Sequence, residues 1–239
     1  MQVRLEAIIL RVVPYGDKSA VLHLFTREEG RQAFITSVSQ KSKSGLRPSL
    51  LQILNQVEVI CHPRKKGELR RIKELRLLQH YRELTFDPVK SCLAMFLAEV
   101  LQNLLYEEES QPSLFRYLQE GLLRLDDQQK QLANFHLIFM RDLSHFLGIA
   151  PERATAKPKV YFDLMDGHYA DQMPRHGHYL SGEELALWNR LLAKKEAEVV
   201  GLNGNQRRRL TKAWLDYYRL HLHDFGELRS LPVLTEILH

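Results

Sequence analysis

The first 80 residues alternate between short apolar runs and clusters of turn-forming residues. Ala7-Ile8-Ile9-Leu10 opens a run that continues through Val12-Val13 to Pro14-Tyr15-Gly16-Asp17. A second run follows over residues 20–25, then Arg27-Glu28-Glu29-Gly30, then a third over 32–38. Runs of this length, rich in β-branched residues and bounded by turn residues, predict strands. Pro14 sets φ and Gly16 permits a positive φ, so the chain reverses between the first two. Residues 56–61 and 69–78 supply two further strands. The last mixes periods of two and three, and it is read as a strand because a barrel needs a fifth. Residues 50–54 fit either the start of a strand or a short helix. Five short-turn strands predict a small closed barrel of the OB type.

After residue 80 the period lengthens. Residues 81–87 read as a linker ending in Asp87-Pro88, an acidic N-cap followed by proline at the first helical position. Ala94, Leu97, Ala98, Leu101, Leu104 and Leu105 then mark one face of a helix over 89–106. Two more helices are predicted over 113–125 and 128–147, the latter stopped by Gly148. Residues 160–164 with Asp166-Gly167 read as a strand and its turn, and 168–179 as a loop or small hairpin. Ser181 caps a helix to residue 192, Asn205 caps one over 206–222, and residues 231–238 form a short final helix. The predicted class is α+β: an OB barrel over residues 1–80, then an α-helical domain over 81–239 with a small irregular insert at about 155–180.

A hydrophobic content of 44% supports a packed core and argues against global disorder. No apolar run reaches membrane-spanning length, so no membrane association is expected. The first residues lack the apolar stretch of a signal peptide. Cys61 and Cys92 are too few for a disulfide framework and read as small buried hydrophobes. The expected compartment is the cytoplasm.

Charge changes the picture more. Residues 1–80 carry 15 Lys/Arg against 7 Asp/Glu, a net +8, whereas the remainder carries 19 against 22, a net −3. The half that reads as a barrel is therefore the half suited to a polyanion. Its cations cluster. Lys41, Lys43 and Arg47 lie in a polar, serine-containing loop; Arg64, Lys65 and Lys66 lie in a second turn, with Arg70 and Arg71 just beyond. Such loops follow phosphates, and flat side chains stack on bases; Tyr15 and Phe34 are the candidates, with Phe34, in an apolar run, better placed for the core. Arg207, Arg208, Arg209 and Lys212 open a helix, where cations oppose the macrodipole, which hints at an anionic partner.

No phosphate-binding glycine loop, nucleophile elbow, zinc-protease motif or kinase signature is present, which argues against a P-loop ATPase and leaves other nucleotide sites open; no catalytic residue is singled out and no cofactor is expected. Asp163, Asp166, His168, Asp171, His176 and His178 are metal-ligand types, but their spacing fits no recognised site and no metal is expected.

The pattern A-I-I-L-R-x-x-P-Y-G-D-x-S-x-V-L-x-L-F-T-x-E-x-G resembles the start of the RecO family of DNA repair and recombination mediators. Tyr218-Arg219-Leu220-His221-Leu222-His223, with Leu228-Arg229-Ser230 and Val233-Leu234, resembles its C-terminal part. The resemblance implies a non-enzymatic protein that binds single- and double-stranded DNA, promotes annealing, and helps load the recombinase with RecR and single-stranded-DNA-binding protein. It also implies that a basic loop beside the barrel's DNA-binding face corresponds to residues 39–48. Some relatives carry a four-cysteine zinc site near the insert; this chain has no cysteine there, so that site is not carried over. The family binds the acidic, phenylalanine-ended tail of single-stranded-DNA-binding protein on the helical domain. Here the helix over 128–147 offers Phe135, Phe139 and Phe146 with Lys130, His136 and Arg141, of which Lys130 and Arg141 are the favoured cations. Two other readings fit parts of the chain. One is an RNA-binding or ribosome-associated OB protein; the other is a metal-dependent hydrolase using His168, His176 and His178.

Overall fold

A computed structural model describes residues 2–38, 46–63, 69–106, 108–153, 159–193 and 201–238. The chain divides into two compact units, Met1–Asp127 and Gln128–His239.

In the first unit, β1 (Val3–Tyr15), β2 (Ser19–Thr26), β3 (Gly30–Ser37), β4 (Gln56–Cys61) and β5 (Arg70–Leu77) close into a barrel in the order β1-β2-β3-β5-β4. Every pairing is antiparallel except β3 with β5. This is the five-stranded OB barrel that the hydrophobic pattern predicts. Its interior is filled from alternate positions: Leu5, Ala7 and Ile9 of β1, Leu22 and Leu24 of β2, Phe34 of β3, Val57 and Val59 of β4, and Ile72 and Leu75 of β5. The run Ala7–Leu10 is continuous because β1 is buried on both sides there.

Two bulges explain the irregular periods. Between Ile9 and Arg11 the β1–β2 register shifts, so Val12 turns in and Arg11 turns out. Opposite Ile60 and Cys61, β5 carries Lys73 as an extra residue, so its interior positions Ile72 and Leu75 are three apart. The undecided segment near residue 50 is a 3₁₀ turn, Pro48–Leu51. Beyond it Leu54 takes a positive φ of 62°, costly for a branched side chain. It is held by its amide donating to the Ile9 carbonyl (2.6 Å) and by Tyr81 Oη donating to its own carbonyl (3.0 Å).

The same unit contains α1 (Pro88–Leu104) and α2 (Pro112–Asp127). Asp87 caps α1 as predicted, its carboxylate accepting from the Val89 and Lys90 amides at 2.8 and 2.9 Å. Gln102 of α1 donates to the Leu10 carbonyl (2.8 Å), and Phe115 of α2 packs on Phe25 with ring centroids 6.0 Å apart. The compact unit thus extends past the linker to the end of α2.

In the second unit the helix predicted over 128–147 is shorter. Gln131 sits in the left-handed region (φ 62°), which an α-helix excludes, and a 3₁₀ turn, Leu132–Asn134, precedes α3 (Phe135–Phe146). The insert is a three-stranded sheet in the order β7-β6-β8, made of β6 (Tyr161–Asp163), β7 (His168–Ala170) and β8 (Tyr179–Ser181). α4 (Gly182–Ala193), α5 (Gly204–His221) and α6 (Leu231–Ile237) follow. The cap of α5 is Asn203 rather than Asn205. Its side chain accepts from the Gln206 amide (2.9 Å) while Gln206 accepts from the Asn203 amide (3.1 Å), a reciprocal capping box. Trp188, Trp214, Tyr217 and Phe162 form an aromatic core under these helices.

Candidate nucleic-acid interface

The bulge in β1 builds the candidate surface. From Arg11 onward the outward positions of β1 are Arg11, Val13 and Tyr15, and the register carries each across the sheet. Val13 lies opposite Val21, Val21 opposite Ile35, and Ile35 opposite Arg71. Arg11 lies opposite His23 and His23 opposite Ala33; Tyr15 lies opposite Ser19 and Ser19 opposite Ser37. The outer face of β1, β2, β3 and the start of β5 is therefore a half-exposed aliphatic row bordered by Arg11 on one side and by Arg71 and Lys73 on the other. Tyr15 stands at one end, 63% exposed, in the turn that also carries Asp17 and Lys18. The β2–β3 face and the adjoining loops are where OB barrels take oligonucleotides.

Of the eight cations expected to touch DNA, Lys41, Lys43, Arg64, Lys65 and Lys66 lie outside the described residues. Arg47 and Arg71 are exposed and converge on one end of β3. Leu46, next to Arg47, donates to the Ser37 carbonyl (2.9 Å), and Arg71 Nη1 donates to Ser37 Oγ (3.4 Å).

Arg70 corrects the expectation. It is only 6% exposed, because β-strand alternation turns it away from Arg71. Its guanidinium lies 4.7 Å from the Phe34 ring centroid and reaches both Glu29 carboxylate oxygens, at 3.3 and 2.5 Å, and Gln32 Oε1 at 3.2 Å. A guanidinium so used belongs to the barrel, not to a ligand. Phe34 is wholly buried beneath it, so of the two flat candidates only Tyr15 reaches solvent.

Arg31 sits on β3 diagonal to His23, and its Nη1 donates to the Gln102 and Leu105 carbonyls at the end of α1 (3.1 and 3.0 Å). Among the described residues, neither Arg11 nor Arg31 has a carboxylate in ion-pair range. Partial burial, followed by the charges of Arg31 and Arg11, holds the His23 imidazole below its ordinary pKa. The sequence signal for Arg11 and His23 was there as polar breaks in apolar runs, but only the bulge shows that they share a side.

Elsewhere in the first unit, a buried clasp fixes the start of α1. Asp126 accepts from the Arg82, Glu83 and Leu84 amides at 2.9, 2.9 and 2.7 Å. Lys90, itself buried, donates to Glu83 Oε2 (2.6 Å) and to the Asp126 carbonyl. Burial alone would raise the Asp126 carboxyl, but the three amides and the charge of Lys90 outweigh it and hold the group below the usual carboxylate range.

In the second unit, Phe135 and Phe139 are buried and stack on each other, and His136 is buried with its pKa pushed down to about 3, by burial and then by the charge of Arg207. Lys130 is exposed in the non-helical stretch before α3. Arg141 departs from expectation: its side chain is 11% exposed, with Nε donating to Asp142 (2.7 Å) and Nη1 to the Leu191 carbonyl (2.9 Å), so it ties α3 to α4. Two of the arginines opening α5 also find internal acceptors. Arg207 donates to the Leu202 and Leu238 carbonyls, and Arg209 pairs with Glu183 and Glu184 at the start of α4.

In the insert, Asp163 accepts from the Met165 and Asp166 amides (2.8 and 3.3 Å) and contacts His176 Nε2 (3.0 Å). His168 faces Glu152 at 3.6 Å instead, and Asp171 pairs with Lys159. Among the described residues no three His, Cys, Asp or Glu side chains are grouped to hold a metal ion. Cys61 and Cys92 are buried free thiols in no disulfide.

Residues 1–81 match the family model described as Recombination protein O N terminal, and residues 85–232 match Recombination protein O C terminal. The chain is 37% identical over 233 residues to the DNA repair protein RecO of Phocaeicola vulgatus, covering 96% of each chain. It is 34% identical to the protein of the same name from Bacteroides fragilis, again over 96% of each, and 32% identical to that of Christiangramia forsetii over 99% of each. Both ends of the chain, its closed N-terminal barrel and its helical remainder agree with one assignment: the chain belongs to the RecO family of DNA repair and recombination proteins.

Proposed function

We propose that the outer face of β1, β2, β3 and β5, together with the cations of the sequence segments 39–48 and 62–68, binds the backbone of single- and double-stranded DNA. The observation that carries this reading is the aliphatic row Val13, Val21 and Ile35 flanked by Arg11, Arg71 and Lys73, in a half of the chain with a net charge of +8. Cations along the edges track phosphates while the row and Tyr15 offer apolar support to sugars and bases. A surface of this kind neutralises two strands without reading their sequence, which is what annealing requires. In this reading the protein is a non-enzymatic mediator acting in the cytoplasm. It works with RecR and with the acidic tail of single-stranded-DNA-binding protein to load the recombinase. Lys130 is the exposed cation that supports the tail contact.

The test is a salt titration of affinity for single-stranded and duplex DNA, and for RNA of the same sequence. It compares the parent with Lys41→Ala/Lys43→Ala/Arg47→Ala and with Arg71→Ala/Lys73→Ala. Each lost phosphate contact should lower the magnitude of the log–log salt slope by about 0.7 on single strands and about 0.9 on duplex. Binding should weaken alike for all sequences, with thermal stability within about 0.5 kcal/mol of the parent, because the described members of both sets are exposed. Unchanged affinity and slope in both variants would remove this face from the DNA path. Much tighter binding to RNA than to DNA would favour an RNA-binding role.

A further inference from the structure

We propose that His23 is a proton-coupled phosphate contact, so that DNA binding on this face takes up a proton. The inference rests on the reading of the face given above and adds a regulation to it. His23 lies on β2 between two strands that each present a guanidinium: Arg11 directly across on β1, and Arg31 diagonally on β3. At the end of α1, behind Arg31, the Gln102 and Leu105 carbonyls accept from its guanidinium. No carboxylate among the described residues pairs with either arginine, so no ion pair described there offsets a third positive charge.

In the free state, partial burial and two neighbouring cations favour the neutral imidazole. A phosphodiester seated against Arg11 brings a negative charge to the same place. It neutralises the repulsion and offers the protonated ring a charge-assisted hydrogen bond. The bound complex therefore holds the His23 proton more tightly than the free protein does. By linkage, affinity must rise as pH falls through the bound-state pKa, and must level off below the lower free-state pKa. One proton sets the limit: at most about tenfold in affinity per pH unit.

The experiment measures affinity for a fluorescein-labelled oligothymidylate from about pH 5 to 8 at constant ionic strength, with full-length parent and His23→Gln. Thymine does not titrate in this range, so the DNA adds no proton of its own. The parent should bind more tightly as pH falls. His23→Gln should match the parent near pH 8, where His23 is neutral, and lack that part of the increase. The imidazole resonance lost in His23→Gln should titrate at higher pH in the parent when the oligonucleotide is present. Identical pH profiles for the two proteins, or a resonance whose titration ignores DNA, would overturn the proposal. If Arg71→Ala/Lys73→Ala still weakens binding in that case, the face stands and only the proton coupling fails. If that variant also binds like the parent, the face itself is wrong.

Discussion

Replacing Arg70 by alanine separates a structural cation from a binding one, because its neighbour Arg71 faces the other way. The substitution removes a guanidinium that is almost wholly buried and that bridges Glu29, Gln32 and the Phe34 ring. Hydrogen bonds to a charged group contribute about 1.5–3 kcal/mol net, and a desolvated cation–π contact contributes about 2 kcal/mol. Against this, Glu29 keeps 30% of its side-chain exposure, so the abandoned carboxylate recovers part of its hydration. The full penalty of about 3–5 kcal/mol for an orphaned buried charge is therefore not reached. The expected loss is about 2–4 kcal/mol. Trp188 and Trp214 both lie in the second unit, so tryptophan fluorescence does not report on the barrel directly. Urea unfolding should instead be followed by hydrogen exchange of the barrel amides, with far-UV circular dichroism beside it. DNA affinity of the folded protein at low urea should keep the parent salt slope, while Arg71→Ala should show the reverse pattern. If Arg70→Ala kept parental stability and lost slope by the amount of one phosphate contact, the assignment of Arg70 to the barrel would be wrong.

Asp126→Asn should destabilise the first unit by about 1–3 kcal/mol near pH 7, because a carboxylate gripped by three amides becomes a weaker neutral acceptor. The folded-state carboxyl is held below its unfolded value, so its contribution is fully present above about pH 4 and is lost as pH falls through the folded pKa. Acid unfolding of Asp126→Asn, followed by circular dichroism, should lack that portion of the parent's pH dependence; superimposable curves would refute it. Lys130→Glu should weaken binding of an acidic, phenylalanine-ended peptide several-fold by fluorescence anisotropy, with DNA affinity retained; an unchanged peptide affinity would place the tail elsewhere.

Local chemistry alone determined a good deal of this protein. The alternation of apolar runs with Pro14, Gly16 and Gly30 marked three strands, because turn residues and strand period act over a few bonds. Asp87-Pro88 marked the start of α1 for the same reason. The concentration of positive charge in residues 1–80 identified the half suited to a polyanion, since net charge needs no geometry. The terminal motifs identified the family.

Tertiary structure decided which identical side chains serve which role. Arg70 and Arg71 are indistinguishable in sequence, and strand register buries one against Glu29 and exposes the other beside Ser37. Arg141 reads as an exposed cation until α4 supplies Leu191 as its acceptor from 50 residues away. Gln131 shortens α3 through a left-handed backbone that no residue type there announces. The candidate face exists because one extra residue in β1 rotates Arg11, Val13 and Tyr15 outward, opposite His23 and beside Ile35. Period-two alternation assigns a side only relative to its own strand. The absolute side is set by how five strands close, which depends on pairings between residues far apart in the chain.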